Sequence, residues 1–276
     1  TQLMLGDTKS VWRTSYNDRT LLADTGSNQK VKYRAENEVE SIRTLNLSHS
    51  YRLSDYWQTG ISIPMIEKTK SIESNWESVS GLGDIKFNLA YEFLPEFKRN
   101  TFMTQGFVYA EMTAPTAPSI YDTKRLDLLD IRGSGHMVYT SGILLKKRQK
   151  VGASVFQIGL SYRPSKEFKK TLFGPETIKT KSSVDHRISF TQNLRLNTKS
   201  SFFSTISRNY IQSKTTSTLS LNDEPSLASS LAFGVDYSTS TSTYLLTYQD
   251  DFMLNQSYNR VLGKSISLSY VHRANL

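Results

Sequence analysis

The sequence predicts an all-β chain, a 12-stranded antiparallel transmembrane β-barrel, and three observations carry that expectation. Apolar and polar residues alternate in about twelve separate runs, as they do when successive side chains of a strand point to opposite faces. The connections between runs are short, then long, then short again, the loop asymmetry of outer-membrane barrels. Finally, no stretch approaches the ~18 apolar residues of a membrane helix, so any passage through a bilayer must be made by strands.

The runs follow in order. A first strand is expected near Thr8–Tyr16. In the second, Leu45, Leu47, His49, Tyr51 and Leu53 alternate with polar residues up to Arg52, and Ser54-Asp55 makes a tight turn. The third sets Trp57, Thr59, Ile61, Ile63 and Met65 on one face. The fourth sets Ile85, Phe87, Leu89, Tyr91 and Phe93 against Asp84, Lys86, Asn88, Ala90 and Glu92; Pro95, which cannot donate to a ladder, ends it. The fifth spans Thr101–Met112 with ambiguous faces, the sixth Gly135–Leu145 and the seventh Ala153–Tyr162. The eighth, Val184–Leu196, alternates most cleanly: Val184, Ile188, Phe190, Leu194 and Leu196 oppose Asp185, Arg187, Ser189, Thr191, Asn193 and Arg195. The ninth covers Ser201–Ile211. The tenth alternates Leu231, Phe233, Val235 and Tyr237 with Asp236 on the far face. The eleventh carries Tyr244, Leu246 and Tyr248; the twelfth, Ser265–Leu276, alternates Ile266, Leu268, Tyr270 and His272 with Arg273 on the other side.

Short connections are expected at Ser54-Asp55, Pro95–Asn100, Lys146–Lys150, Asn197–Lys199 and Ser238–Ser242. Long polar ones are expected at Asn17–Asn37, Ile66–Ser80, Thr113–Arg132, Arg163–Ser183, Gln212–Ser229 and Asp250–Asn259. An even strand count with this asymmetry places both termini in the periplasm. A closed barrel leaves no free edge, so a monomer suffices.

Composition narrows the function. With no cysteine, there are no disulfides and no thiolate metal sites. Mean hydropathy is −0.44 with 37% hydrophobic residues, values a barrel tolerates because lipid needs only every second residue. The net charge of +9 suits anionic partners, but the basic residues are dispersed and no nucleic-acid motif accompanies them. The opening Thr1–Gly6 lacks a charged region followed by an apolar core, so the chain is read as mature and already cleaved. It ends on Leu276 rather than on the aromatic residue common at the end of outer-membrane barrels.

Residues Gly81-Leu82-Gly83-Asp84-Ile85 open the fourth strand. They resemble the Gly-Leu-Gly-Asp-Ile opening that recurs in a family of proteobacterial envelope barrels labelled phenol-degradation (MetA-pathway) outer-membrane proteins. The similarity continues through Ala114-Pro115-Thr116, where the family shows Pro-Thr-Gly and this chain has Ala117, and through Gly133-Ser134-Gly135. It covers roughly residues 80–165. The resemblance implies a transport-like or structural role at the outer membrane and no catalytic residues. Read from the residues alone, Gly81 and Gly83 supply backbone angles for a strand-entry turn; Gly-x-Gly before a strand has no helix dipole to hold phosphate.

Of the four histidines, His49, His186 and His272 fall on apolar faces, and none of the four shares a metal-binding spacing with another. No serine carries a nucleophile signature, so no enzyme, cofactor or metal is expected. The polar faces carry the chemistry. If the apolar faces meet lipid, then Arg52, Asp84, Lys86, Glu92, Asp185, Arg187, Arg195, Asp236 and Arg273 line the lumen. Such mixed walls either pass small solutes or pair across the lumen and brace it. Tyr121–Ile131 is expected to form a short helix with Leu128 and Ile131 against the barrel mouth. Lys166, Lys169, Lys170, Lys179 and Lys181 form either a solvated rim or a contact for lipopolysaccharide phosphates, and Lys146-Lys147-Arg148 a charged turn. The expectation is one domain, residues 1–276, in a Gram-negative outer membrane. It passes small solutes, with lipid and lipopolysaccharide as partners and no nucleic acid. The alternatives are a non-conducting surface barrel that binds through its outer loops, a lipid-modifying enzyme, and a soluble β-sandwich.

Overall fold

The structure, a computed structural model, describes residues 8–35, 38–72, 75–95, 104–121, 123, 125, 128–168, 177–212 and 225–274. Its strands are β1 (Ser10–Thr25), β2 (Val31–Tyr33), β3 (Glu38–Arg52), β4 (Trp57–Ile72), β5 (Asn75–Leu82), β6 (Ile85–Leu94), β7 (Gln105–Ala114) and β8 (Val138–Gln149). They continue as β9 (Gly152–Arg163), β10 (Lys166–Phe168), β11 (Ile178–Thr180), β12 (Ser183–Arg195), β13 (Ser200–Ile211), β14 (Ser226–Ser238), β15 (Ser242–Asp250) and β16 (Arg260–Ala274). Twelve of them, all but β2, β5, β10 and β11, make up the barrel wall, each antiparallel to its neighbours. β16 closes on β1 over the register Ser10↔Ala274 to Thr25↔Arg260, so the sheet is a barrel without a free edge.

Alternation decides which face is out. On β12, Ile188, Phe190 and Leu194 are exposed, whereas Asp185 is buried inside. The same parity puts Phe156, Ile158 and Leu160 of β9 outside, with Leu45 and Leu47 of β3 and Ile266 and Leu268 of β16. Aromatic residues flank this belt. Trp12, Tyr51, Trp57, Tyr91, Tyr244 and Tyr270 stand toward the short-turn end, and Tyr139 and Tyr162 toward the other. An apolar exterior between aromatic girdles is the side-chain distribution of a barrel set in lipid. Inside, hydroxyl and amide side chains bond across strands: Thr140 to Ser161 at 2.8 Å, Thr191 to Thr205 at 2.8 Å and Asn193 to Ser201 at 2.9 Å.

All twelve expected barrel strands are present, with shifted ends. β1 runs from Ser10 to Thr25, nine residues past the expected Tyr16, and β4 continues to Ile72 and pairs with β5 as a hairpin standing above the wall. Much of the expected loops at Asn17–Asn37 and Ile66–Ser80 is therefore strand. The cause is solvation: a strand needs only about 9–11 residues to cross a bilayer, and beyond that both faces can be polar, which erases the apolar alternation. β8 likewise extends through Lys146-Lys147-Arg148, leaving residues 150–151 as the turn. β6 and β7 are joined by residues 95–104, long for this end; Glu96–Met103 lie outside the described residues.

The expected helix at Tyr121–Ile131 does not form in the residues described. Leu128 takes a left-handed backbone (φ 60°), and Ile131 N–H donates to Leu128 C=O at 3.3 Å, closing a turn. Asp122, Lys124, Leu126 and Asp127 lie outside the described residues. So do Thr1–Gly6, Lys169, Lys170, residues 213–224 of the Gln212–Ser229 connection, and Leu276.

Candidate functional site: the barrel lumen

A cavity of about 1260 Å³ occupies the lumen toward the long-loop end. Charged groups on its wall are Asp24, Lys86, Glu111, Arg132, Asp185, Arg187 and Arg260, with Asp84 and Arg163 beside them. Hydroxyls and amides such as Tyr109, Thr140, Gln157 and Asn209 fill the spaces between. Beneath it the inward side chains are buried. Phe107, of the same inward parity as Tyr109 and Glu111, is fully buried, and Gln58, Gln105 and Glu92 are buried with it.

The β7–β8 connection folds into the upper mouth, and the glycine-rich motifs hold it there. Asp84, at the foot of β6, accepts hydrogen bonds from Ala117 N–H (3.1 Å) and Ser134 N–H (2.7 Å), the two ends of that connection. Thr116 Oγ1 donates to Gly83 C=O at 2.9 Å and accepts from Ile85 N–H at 3.1 Å. A Cβ on Gly133 would sit 2.4 Å from Asp84 Oδ1, so only glycine lets the backbone come this close. Gly135 takes φ +71°, an angle that β-carbon-bearing residues resist. Gly81 and Gly83 work differently from the expectation, since neither takes a left-handed angle. They leave room: a Cβ would come 2.7 Å from the Arg132 guanidinium at Gly81 and 2.7 Å from Ile66 Cδ1 at Gly83.

The connection then packs on the β10–β11 hairpin. Tyr121 stacks on Phe168 at 3.9 Å between centroids, Ile178 closes the cluster, and His136 meets both rings edge-on at 5.8 and 5.2 Å. Lys166 Nζ donates to Gly135 C=O at 2.7 Å. Ile120, Tyr121 and Ile178 face the cavity, so the two connections together roof it.

The nine residues read as lumen-lining divide by height. Asp84, Lys86, Asp185 and Arg187 border the cavity. Asp185 pairs with Arg163 and accepts from Gln212 N–H at 3.2 Å; Lys86 reaches Glu111 at 3.7 Å. Toward the short-turn end, Glu92 accepts from Gln105 Nε2 at 2.8 Å, Asp236 accepts from Ser201 Oγ, and Arg273 Nη2 donates to Thr243 Oγ1 at 2.7 Å. Arg52 and Arg195 end their strands there, their N–H groups donating to Lys9 and Val151 carbonyls at 2.9 and 2.7 Å. These five are not brought to the cavity.

Tyr109, Glu111, Arg132, Gln157, Arg163 and Arg260 line the cavity and were not singled out by sequence. In β7 the inward Phe107 and Tyr109 are as apolar as their outward neighbours, so the alternation that would have exposed Glu111 is hidden. Arg163 sits on a strand end read as loop, and Arg260 begins β16 ahead of the expected start at Ser265. Above the wall, Arg34 lies between Asp24 (3.5 Å) and Glu40. Burial opposes its charge, but Glu40 and Asp24 outweigh it and hold its pKa above the usual arginine value.

No family model matches the chain, and no curated protein sequence does. Among solved structures, it is similar to the COG4313 outer membrane channel from Pseudomonas putida: TM-score 0.75 at 12% identity, covering 98% of this chain and 97% of that one. It is also similar to the translocator domain of the autotransporter NalP from Neisseria meningitidis, with TM-score 0.51 at 10% identity, covering 98% and 90%. At these identities the likeness is one of fold, and the fold is that of an outer-membrane β-barrel.

Proposed function

We propose that this chain is a narrow outer-membrane channel for small solutes that favours anions. The observation that carries the reading is the charge-lined cavity of about 1260 Å³ inside a barrel whose exterior is apolar. The shared fold with an outer-membrane channel over 98% of the chain supports it, as does the resemblance of the Gly81–Ile85 and Gly133–Gly135 motifs to the phenol-degradation envelope family. The long connections then face outward, and the short turns and both termini face the periplasm, by the loop asymmetry of such barrels.

The sign of the field follows from which charges are already spent. Asp24 has Arg34, Glu111 has Lys86 and Asp185 has Arg163, whereas Asp84, held by two neutral backbone N–H groups, keeps its charge. Among the described residues, Arg132, Arg187 and Arg260 border the cavity without an ion pair, against the one unpaired carboxylate of Asp84. Uncompensated cations on a confined wall attract anions and repel cations. On the outer face, Arg43 and Lys264 are about half exposed above the apolar belt, but Arg43 already reaches Asp18 and Glu67 at 3.5 Å and Lys264 reaches Asp250 at 3.5 Å, so a lipopolysaccharide phosphate has to compete with these carboxylates. Lys166 and Lys179 are engaged within their own loop, by Gly135 and Glu167.

Planar-bilayer recording across a salt gradient tests the proposal. The purified protein should conduct with a reversal potential of anionic sign, and Arg187→Glu should move that potential toward the cation side. A barrel that inserts and stays silent contradicts the proposal. It would favour a second reading, a plugged surface barrel, for which the fully buried Phe107 and buried Gln58, Gln105 and Glu92 in the lower lumen argue.

A further inference from the structure

One inward row of the wall carries two adjacent glycines. Ala90, Tyr109, Gly142, Gly159, Arg187 and Asn209 are successive cross-strand partners on β6, β7, β8, β9, β12 and β13. Two adjacent inward positions therefore carry no side chain, next to the largest residue of the row. The vacancy is filled by Tyr109 itself. A Cβ on Gly142 would meet Tyr109 Oη at 2.6 Å, and one on Gly159 would meet it at 2.7 Å. The ring thus lies along the wall, crosses β8 and ends over β9. There its hydroxyl accepts from Gln157 Nε2 at 2.8 Å. Although it points into the lumen, Tyr109 is only 3% exposed.

The placement matters because of where it occurs. Tyr109, Gln157 and Gly159 border the lower part of the cavity, with Arg187 the next partner along the row. Neighbouring strands are about 4.8 Å apart, so a phenol laid over two strand positions occupies wall that is otherwise empty. The same phenol turned inward stands across the passage. Its hold on the wall is a single hydrogen bond and the trough the glycines leave.

We propose that Tyr109 sets the width of the lumen at this level: seated in the Gly142–Gly159 trough it leaves the passage open, and unseated it obstructs it. This rests on the channel reading above. Gly159 is the cleaner position to perturb. A Cβ there meets the far end of Tyr109 first and then nothing nearer than 3.6 Å, whereas a Cβ on Gly142 also strikes Ile158 C=O at 2.3 Å.

The test is single-channel conductance of the full chain, with heat-modifiable gel migration confirming that each variant folds. Gly159→Ala should lower unitary conductance roughly two-fold or more, and Tyr109→Ala should raise it. The double variant, Tyr109→Ala with Gly159→Ala, should return to the Tyr109→Ala level, because the added methyl then has no ring to displace. Should Gly159→Ala fail to assemble, Gln157→Leu frees the hydroxyl without adding bulk at the trough and should lengthen closed times. Wild-type conductance in Gly159→Ala, a double variant as low as Gly159→Ala alone, or unchanged gating in Gln157→Leu each overturns the proposal while leaving the channel standing. A silent wild-type barrel removes both.

Discussion

Asp84 shows how one side chain joins a motif to a fold. Its carboxylate caps both ends of the β7–β8 connection, and the close approach of Gly133 leaves no room for a bulkier residue. Hydrogen bonds to an ionised acceptor contribute about 1.5–3 kcal/mol each, so Asp84→Ala should free the connection without unfolding the barrel. Limited proteolysis should then cut between Thr116 and Gly133 several-fold faster than in the wild type, while heat-modifiable migration is kept. Equal cutting rates would mean that the aromatic cluster of Tyr121 and Phe168 holds the connection unaided. The sequence showed that Asp84 and these glycines belong together only through resemblance; the contact joins residues about fifty apart, and no local pattern encodes it.

At the scale of the strand, the two faces have opposite tolerances. Ile158 faces outward between Ile143 and Ile188 on its neighbours, and is 38% exposed where lipid would cover it. A lipid-facing arginine near the bilayer midplane costs about 2–4 kcal/mol, so Ile158→Arg should lower folding stability in liposomes by about that amount. The adjacent inward Gln157→Arg should cost much less. Equal losses at both positions would place Ile158 in a packed protein core. Strand centres were legible because lipid demands an apolar residue at every second position. Strand ends were not, because outside the lipid that demand lapses: β1 continues through Asp18, Arg19 and Thr20, and β4 through Glu67, Lys68 and Thr69, where nothing distinguishes strand from loop. Among the described residues of Tyr121–Ile131 the expected helix is absent for a related reason. Its spacing of Leu128 and Ile131 has a helical period, but Tyr121 finds its burial in the roof over the lumen instead.

For the whole molecule, closure of β16 on β1 turns the alternation into an inside and an outside, and every functional inference depends on that division. The count of twelve strands and the segregation of long from short connections were readable, because each follows from crossing a bilayer an even number of times. Which charges remain uncompensated was not readable, since the pairs Arg163–Asp185 and Lys86–Glu111 are made between strands. The chain has no cysteine, so single cysteines can be introduced one at a time along Val184–Arg195 and spin-labelled in lipid vesicles. Accessibility to oxygen, which partitions into hydrocarbon, should peak at 184, 186, 188, 190, 192 and 194, and accessibility to a water-soluble nickel reagent at the odd positions between them. Labels at 188 and 190 that neither reagent reaches would place Ile188 and Phe190 against protein, and the chain would not be a membrane barrel.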